Sequence, residues 1–379
     1  MTFSYAFSMK VALVHELLTI RGGAERVLRI LTEMFPDAPI YTLLYDEKKL
    51  GDWFPKHRVR AAKLPTPYSL LPTPYRYNHH LYLKTFPKTV ESWDFSEFDL
   101  VISTSSAFVH GIITNGKPKH LCIVNSPARY LWDRTHDVMQ QRGLSAPIIN
   151  LALSSIFHRL RIWDAEAADR PDMLLAASKE VQRRVELYWR RKSDVLYPPL
   201  DDGWLMKPLS TSERSDYFLI VSTLVPYKRI DLAIAACNAL GKQLKIVGEG
   251  PDLQRLRKMA GTTIEFLGYR SHQELCDLYA SARAVLFPGE EDFGLVPLEA
   301  MACDTPVIAY GKGGALETIV DGKTGIFFRE PTADSLGEAL QQSESMAFDR
   351  NHMREHVQQF SRTRFEQELK KHIDALSQE

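Results

Sequence analysis

Short apolar runs alternate with amphipathic stretches along most of the chain. KVALV, 10–14, has the length of a buried strand, and AERVLRILTEMF follows with apolar residues at 24, 27, 28, 31, 34 and 35, the spacing of one helix face. PIYTLL, DLVIST, HLCIV and DMLLAAS predict further strands in the first half. The segment 194–204, DVLYPPLDDGW, breaks the rhythm with two prolines and a glycine and reads as a linker. A second series starts at 216: strand DYFLIVS, helix KRIDLAIAACNAL, strand QLKIVG, helix PDLQRLRKMA, strand TIEFLG, helix HQELCDLYASA and strand AVLF. The stretch PGEEDFGLVPLEAMA, the runs TPVIA and TGIFF, and a helix near 332–345 complete it. Alternation of this kind makes parallel, doubly wound sheets. The predicted class is α/β, with two Rossmann-like domains facing a central cleft. The predicted division is 1–198, 199–355 and a C-terminal helix, 356–379, returning to the first domain. A chain of 379 residues exceeds what one core organises, which agrees with two.

Composition narrows the classes. Lys plus Arg and Asp plus Glu both number 47, so a general nucleic-acid binder is disfavoured. The four cysteines, at 122, 237, 276 and 303, form no Cys-x-x-Cys pair and read as reduced thiols of a cytoplasmic protein. No apolar run approaches the roughly 20 residues a membrane span needs. Lys10, His15 and Glu16 interrupt the opening stretch, which therefore does not resemble a signal peptide; residues 1–8 are expected to be an extension outside the fold.

One segment departs from the neutral average. Residues 53–90 hold no Asp or Glu, seven Lys or Arg (Lys56, Arg58, Arg60, Lys63, Arg76, Lys84, Lys88), and the aromatics Tyr68, Tyr75, Tyr77, Tyr82 and Phe86. Prolines at 65, 67, 72 and 74 stiffen it. Cations mixed with aromatics suit an anionic membrane interface; the alternative is a solvated surface insertion. A second basic group, Arg183, Arg184, Arg190, Arg191 and Lys192, reads as the wet face of a helix.

The candidate chemistry lies after strands, where open parallel sheets bind ligands. Arg21-Gly22-Gly23-Ala24 follows the first strand, Gly248-Glu249-Gly250-Pro251 follows QLKIV, and Gly311-Lys312-Gly313-Gly314 follows VIAY. Glycine lets a backbone approach a ligand closely, and N–H groups at a helix start favour anions such as a diphosphate. Turn chemistry alone also accounts for any one of them. None forms a dinucleotide fingerprint or a P-loop, which disfavours an NAD-dependent oxidoreductase. Lys228 and Arg229 are expected to open the helix after DYFLIVSTLVPY, where two cations oppose the helix dipole unless an anion offsets them. Glu291 and Glu299 stand eight positions apart, with Gly294 and Pro297 between them. Pro297 suits a first helical turn, placing Glu299 near a helix start and Glu291 in the loop before it. A carboxylate beside open backbone amides suits a polyhydroxylated ligand.

These residues, together with GGAERV, NSPARYLWD, the YPP linker, VPYKR, GEGP and GGALETIVDGKTG, give the chain a resemblance to the retaining nucleotide-sugar glycosyltransferases of glycosyltransferase family 4, over nearly its whole length. The resemblance implies the GT-B fold and carries roles residue by residue. Glu291 would meet donor-sugar hydroxyls beside the N–H groups of Phe293, Gly294 and Leu295. Glu299 would hold the ribose. Lys228, Gly22 and Gly23 would face the diphosphate, with Thr223, Gly248 and Gly250 in the donor site. His15, Asn125, Arg129, Tyr130 and Asp133 would serve the acceptor side. No protein nucleophile, cofactor or metal is implied. Thr223 stands where the family often has arginine, Asn125 where it often has histidine, and Asp304 where glycine is usual. The expected donor is GDP-mannose, with a UDP-sugar as the other candidate. The expected acceptor is a saccharide or lipid-linked saccharide of surface polysaccharide synthesis, met at the inner face of the membrane. A non-catalytic nucleotide-sugar-binding partner is the alternative that Thr223 and Asn125 keep open.

Overall fold

The computed structural model describes residues 9–63, 82–135, 147–205 and 215–378, the side chains of 147–152 excepted. The expectations for residues 1–8, and for Tyr68, Tyr75, Arg76 and Tyr77 of the basic segment, fall outside these residues. Contacts divide the chain into two units, Met1–Tyr197 with Glu368–Glu379, and Pro198–Gln367.

The first unit is built on a seven-stranded parallel sheet ordered β3-β2-β1-β4-β5-β6-β7. Its strands are β1 (Val11–Leu18), β2 (Ile40–Tyr45), β3 (Val59–Ala61), β4 (Leu100–Ser105), β5 (Lys119–Val124), β6 (Met173–Ala176) and β7 (Asp194–Val195). Numbering helices of six residues or more, α1 (Gly23–Met34), α2 (Phe86–Glu91), α3 (Pro147–Ala167) and α4 (Lys179–Trp189) connect them. The apolar face of α1 buries Val27, Leu28, Ile30 and Leu31, each contributing about 1.5–3 kcal/mol by leaving water.

The second unit carries a six-stranded parallel sheet ordered β10-β9-β8-β11-β12-β13. Its strands are β8 (Tyr217–Val221), β9 (Gln243–Val247), β10 (Ile264–Gly268), β11 (Ala284–Phe287), β12 (Val307–Tyr310) and β13 (Gly325–Phe328). Its helices are α5 (Ile230–Leu240), α6 (Leu253–Met259), α7 (His272–Ser281), α8 (Leu295–Ala302), α9 (Ala333–Glu344) and α10 (Arg350–Val357); the division between units falls within α11 (Arg362–Leu376). Both sheets reverse their strand order once, between β1 and β4 and between β8 and β11. Ligands of open α/β sheets bind at such switch points, beyond the strand ends.

Several expectations need correction. β1 runs to Leu18 rather than ending at Val14, because His15 and Glu16 are buried with partners. β3 and β7 were not expected; they are short sheet edges without an apolar run. The first two residues of the anticipated linker are thus sheet, and Leu196 N–H donates to Ala176 O at 2.9 Å. Arg184 does not face water. It is 2% exposed, with Nε donating to Glu180 at 2.9 Å and a terminal nitrogen 2.6 Å from Asp133. Lys228 closes a 3-10 turn, Pro226–Lys228, and left-handed Arg229 (φ 52°) precedes α5. Asp304 also has a left-handed backbone (φ 65°), where glycine is the usual occupant, and its carboxylate is forked by Arg354 at 2.6 and 3.0 Å.

Three buried ionisable groups give the first unit a pH dependence. Burial pushes His110 down to about 4 and His120 down to about 3, and pushes Asp164 up to about 7 although Trp189 and Trp132 donate to it. The two depressed histidines mean that the unfolded chain gains two protons as pH falls below about 6.5, which costs stability. Asp164 already holds a proton in the folded state through this window, while the unfolded carboxyl is still ionised, and this offsets one of them. The net expectation is a loss of about 1.4 kcal/mol per pH unit between pH 6 and 5. His120, whose Nε2 lies 2.8 Å from Ser103 Oγ, carries half of the histidine effect. Urea unfolding of His120→Asn should therefore show a nearly flat profile over that window; an unchanged slope would contradict this assignment.

Candidate nucleotide-sugar site

In the second unit the loops after β8, β9, β11 and β12 knit together at the strand ends. Leu224 N–H donates to Glu249 O at 2.9 Å, and Asp252 N–H returns to Leu224 O at 3.0 Å. A Cβ on Gly250 would lie 2.2 Å from Leu224 O, and one on Gly248 (φ 129°) 1.9 Å from Ser222 O. Both glycines are thus required by loop-on-loop packing, before any ligand is considered.

The loop after β11 is seated in the same way. Glu291 O accepts the Gly314 N–H at 2.9 Å, and Glu291 bridges Gly313 in parallel register. A Cβ on Gly314 would meet Phe293 Cα at 2.3 Å, and one on Gly313 would meet Glu291 O at 2.4 Å. On the other side Gly289 passes Lys228, where a Cβ would stand 2.8 Å from Lys228 Cα. Sequence reasoning overlooked Gly289, although its place directly after β11 was a usable signal.

This seating brings Lys228 and Glu291 together. They form an ion pair, with side chains 16% and 21% exposed. Burial by itself would lower the Lys228 pKa, but Glu291, Tyr227 and Asp292 together raise it above the usual lysine value. A charged ammonium and a carboxylate therefore stand side by side at the β8–β11 switch point. Gly294 (φ 93°) turns the chain into α8, whose first N–H groups have no acceptor within the helix. Phe293 is buried, which fixes this turn from beneath. Glu299 lies one turn into α8, 4% exposed, and accepts from the Tyr279 hydroxyl at 3.0 Å. Tyr279 was not anticipated; nothing in the sequence ties a residue of α7 to that carboxylate. Thr223 is exposed in the loop after β8.

The remaining candidates belong to the first unit. His15 Nδ1 lies 2.5 Å from Thr104 Oγ1 and its Nε2 lies 3.6 Å from Glu25. Glu25 also accepts the Gly22 N–H at 3.0 Å, so Gly22 and Gly23 enter α1 under a side chain from its first turn. The GGAE spacing was the signal for that contact. Glu16 was passed over: its buried carboxylate accepts N–H groups of Ala107 and Phe108 and fixes the loop after β4. Asn125 donates to Ser106 Oγ at 3.3 Å. Asp133 is held by Arg184, Arg129 and the Tyr188 hydroxyl. Tyr130 packs against Phe157, and burial raises its hydroxyl pKa well above the usual value. Asp133 is therefore a brace of the NSPARYLWD loop, with Trp132 stacked 4.9 Å from Tyr188.

The acid-free basic segment finds counter-charges outside itself. Lys56 pairs with Glu47 at 2.9 Å and Arg60 with Glu97 at 3.2 Å. Arg58 donates to the carbonyls of Thr32, Phe35 and Ala38. Among the described residues no group of three His, Cys, Asp or Glu could hold a metal ion, and no helix is long and apolar enough to cross a membrane.

Comparison with known proteins matches residues 205–360 to the family described as glycosyl transferases group 1. An uncharacterized glycosyltransferase of Methanocaldococcus jannaschii is 26% identical over 179 residues, 46% of this chain and 50% of the relative. A GDP-mannose-dependent alpha-(1-6)-phosphatidylinositol monomannoside mannosyltransferase of Mycolicibacterium smegmatis is 35% identical over 142 residues, 32% of this chain and 36% of the relative. The match thus spans half or less of these relatives' own length. In three dimensions, Anabaena HepE in complex with UDP superposes with a TM-score of 0.71 at 17% identity, over 97% of this chain and 100% of that one. With two parallel-sheet α/β units, the chain has the GT-B fold, and its residues 205–360 match the model of the group 1 glycosyl transferases.

Proposed function

We propose that this protein is a retaining glycosyltransferase that moves a hexose from a nucleoside-diphosphate sugar to a saccharide or lipid-linked saccharide acceptor. The observation that carries the reading is the Glu291 loop, seated on Gly313 and Gly314 and paired with Lys228 at the sheet's switch point. Glu291 exchanges its contact with Lys228 for donor-sugar hydroxyls, while the Phe293, Gly294 and Leu295 amides approach the same sugar. Glu299, held by Tyr279, meets the ribose. Lys228, kept charged in a partly dry site, meets the diphosphate and stabilises the negative charge that grows as it leaves. Attack from the face that the diphosphate vacates retains configuration and needs no protein nucleophile.

The first donor to test is GDP-mannose, which the GDP-mannose dependence of the mycobacterial relative supports. The UDP in the HepE complex supports a UDP-sugar as the competitor. A cytoplasmic position against the inner membrane face would bring the enzyme to a lipid-linked acceptor. A thermal-shift panel of GDP, UDP, ADP and their sugars identifies the donor, because a ligand of the folded state raises apparent stability by mass action. GDP and GDP-mannose should give the largest shifts, and GDP-mannose should then release free GDP on incubation. Binding without release would support the non-catalytic alternative, and no shift with any nucleotide would defeat both readings.

A further inference from the structure

Beside β3 the first unit contains an open cavity of about 630 Å³, whose lining includes Arg60, Lys63, Lys84 and Lys88 with Tyr41 and Trp93. Among the described residues no acidic one lines it. β2 and β3 pair Tyr41 with Arg60, which sets the phenol ring at the cavity wall. Arg60 lies 5.2 Å over that ring, donates to its hydroxyl at 2.6 Å and reaches Glu97 at 3.2 Å. One cation therefore has a counter-charge. Lys63, Lys84 and Lys88 are exposed and have no ion pair or hydrogen bond with any described residue.

The placement of the lysines is unfavourable for an empty surface. Lys84 lies in the turn before the N-cap Thr85 and Lys88 lies within α2, so with Lys63 and Arg60 they set like charges around one cavity, where they repel. The hydroxyls nearby add no compensation: Thr85, Thr89 and Ser92 donate to carbonyls of their own segment. An anion with several acceptor oxygens would offset the repulsion and satisfy the ammonium donors. The aromatic wall of Tyr41 and Trp93, centroids 5.8 Å apart, would meet the less polar part of the same molecule.

We propose that this cavity is a phosphate-ester site, taking the phosphate or diphosphate of a lipid-linked saccharide or of a soluble phosphorylated compound. The inference rests on the acceptor side of the proposed function, but on different residues from the donor loop. It departs from a diffuse membrane contact in requiring three particular lysines around one cavity.

Inorganic pyrophosphate is the first probe, titrated by calorimetry into the whole protein, into Lys84→Ala/Lys88→Ala and into Lys228→Ala. The double variant should weaken the cavity's binding at least tenfold, and the charge reversal Lys88→Glu should weaken it further. Lys228→Ala should leave it in place. Loss in Lys228→Ala alone would assign the binding to the donor loop and overturn the cavity, while sparing the proposed function. Equal affinity in all variants would overturn it as well. Vesicles then separate the sources. Preference for phosphatidylcholine vesicles containing phosphatidic acid over vesicles of equal charge made with phosphatidylserine, lost in the double variant, supports a lipid phosphate. Lysine-dependent pyrophosphate binding with no vesicle retention supports a soluble ester. Equal retention on both anionic vesicles, unchanged in the double variant, contradicts the lipid source. The melting curves of the Lys84 and Lys88 variants should match that of the parent, since both lysines are exposed.

Discussion

Glu291→Ala should lower the rate of sugar transfer about a thousandfold while leaving the protein folded. The reason is a separation between backbone and side chain at this residue. Its carbonyl, not its carboxylate, accepts from Gly314 and anchors the loop, and alanine keeps that carbonyl. The carboxylate is 21% exposed and is ion-paired with Lys228, which keeps Asp292 as a second counter-charge when Glu291 is removed. Hydrogen bonds to a charged group contribute about 1.5–3 kcal/mol each, so losing two hydroxyl contacts removes about 4 kcal/mol, or about three powers of ten in rate. Glu291→Gln keeps an acceptor and should lose less. Donor-dependent nucleotide release, read beside thermal melts, checks the pair. Full activity in Glu291→Ala would remove the carboxylate from the chemistry, and a large drop in melting temperature would show the loss to be structural.

Gly248→Ala should be the most damaging single methyl group for the second unit. Its φ of 129° is one that L side chains rarely adopt, and the added Cβ would sit 1.9 Å from the Ser222 carbonyl. That carbonyl cannot retreat freely, because the Ser222 N–H is held by Val247 O at 3.0 Å and the Leu224 N–H by Glu249 O at 2.9 Å. Strain and overpacking together should cost about 3–5 kcal/mol, lowering the melting temperature by roughly 10 °C. The loss should be present without any ligand, because it arises from packing between loops. A melt within a degree of the parent would refute that account and return Gly248 to the simpler role of admitting a ligand.

The same pair of residues marks what the sequence made legible. All six strands of the second sheet were visible as apolar runs, the buried central ones because a parallel strand covered on both faces is apolar throughout. The Glu291–Glu299 spacing across a glycine and a proline identified the loop, since both residues have special backbone requirements. The purpose of the glycines was misjudged in emphasis. Gly248, Gly250, Gly313 and Gly314 each face the backbone of a neighbouring loop, and long-range packing leaves no mark in a linear pattern. β3 and β7 stayed hidden because edge strands of two or three residues have no periodicity. Arg184 was assigned to water because its neighbours are charged, whereas its partners, Glu180 and Asp133, are supplied by the fold. The apparent isolation of the basic segment failed for the same reason, since Glu47 and Glu97 stand outside it in sequence.

The central claim is that the loop after β11 grips a nucleotide sugar, and the most direct measurement is a crystal structure of the protein with the donor that the thermal panel selects. The sugar hydroxyls should lie within hydrogen-bond distance of Glu291, beside the amides of Phe293, Gly294 and Leu295. The ribose should lie against Glu299, and Lys228 should have left Glu291 for the diphosphate. A donor bound elsewhere, with the Lys228–Glu291 ion pair still closed, would contradict the account.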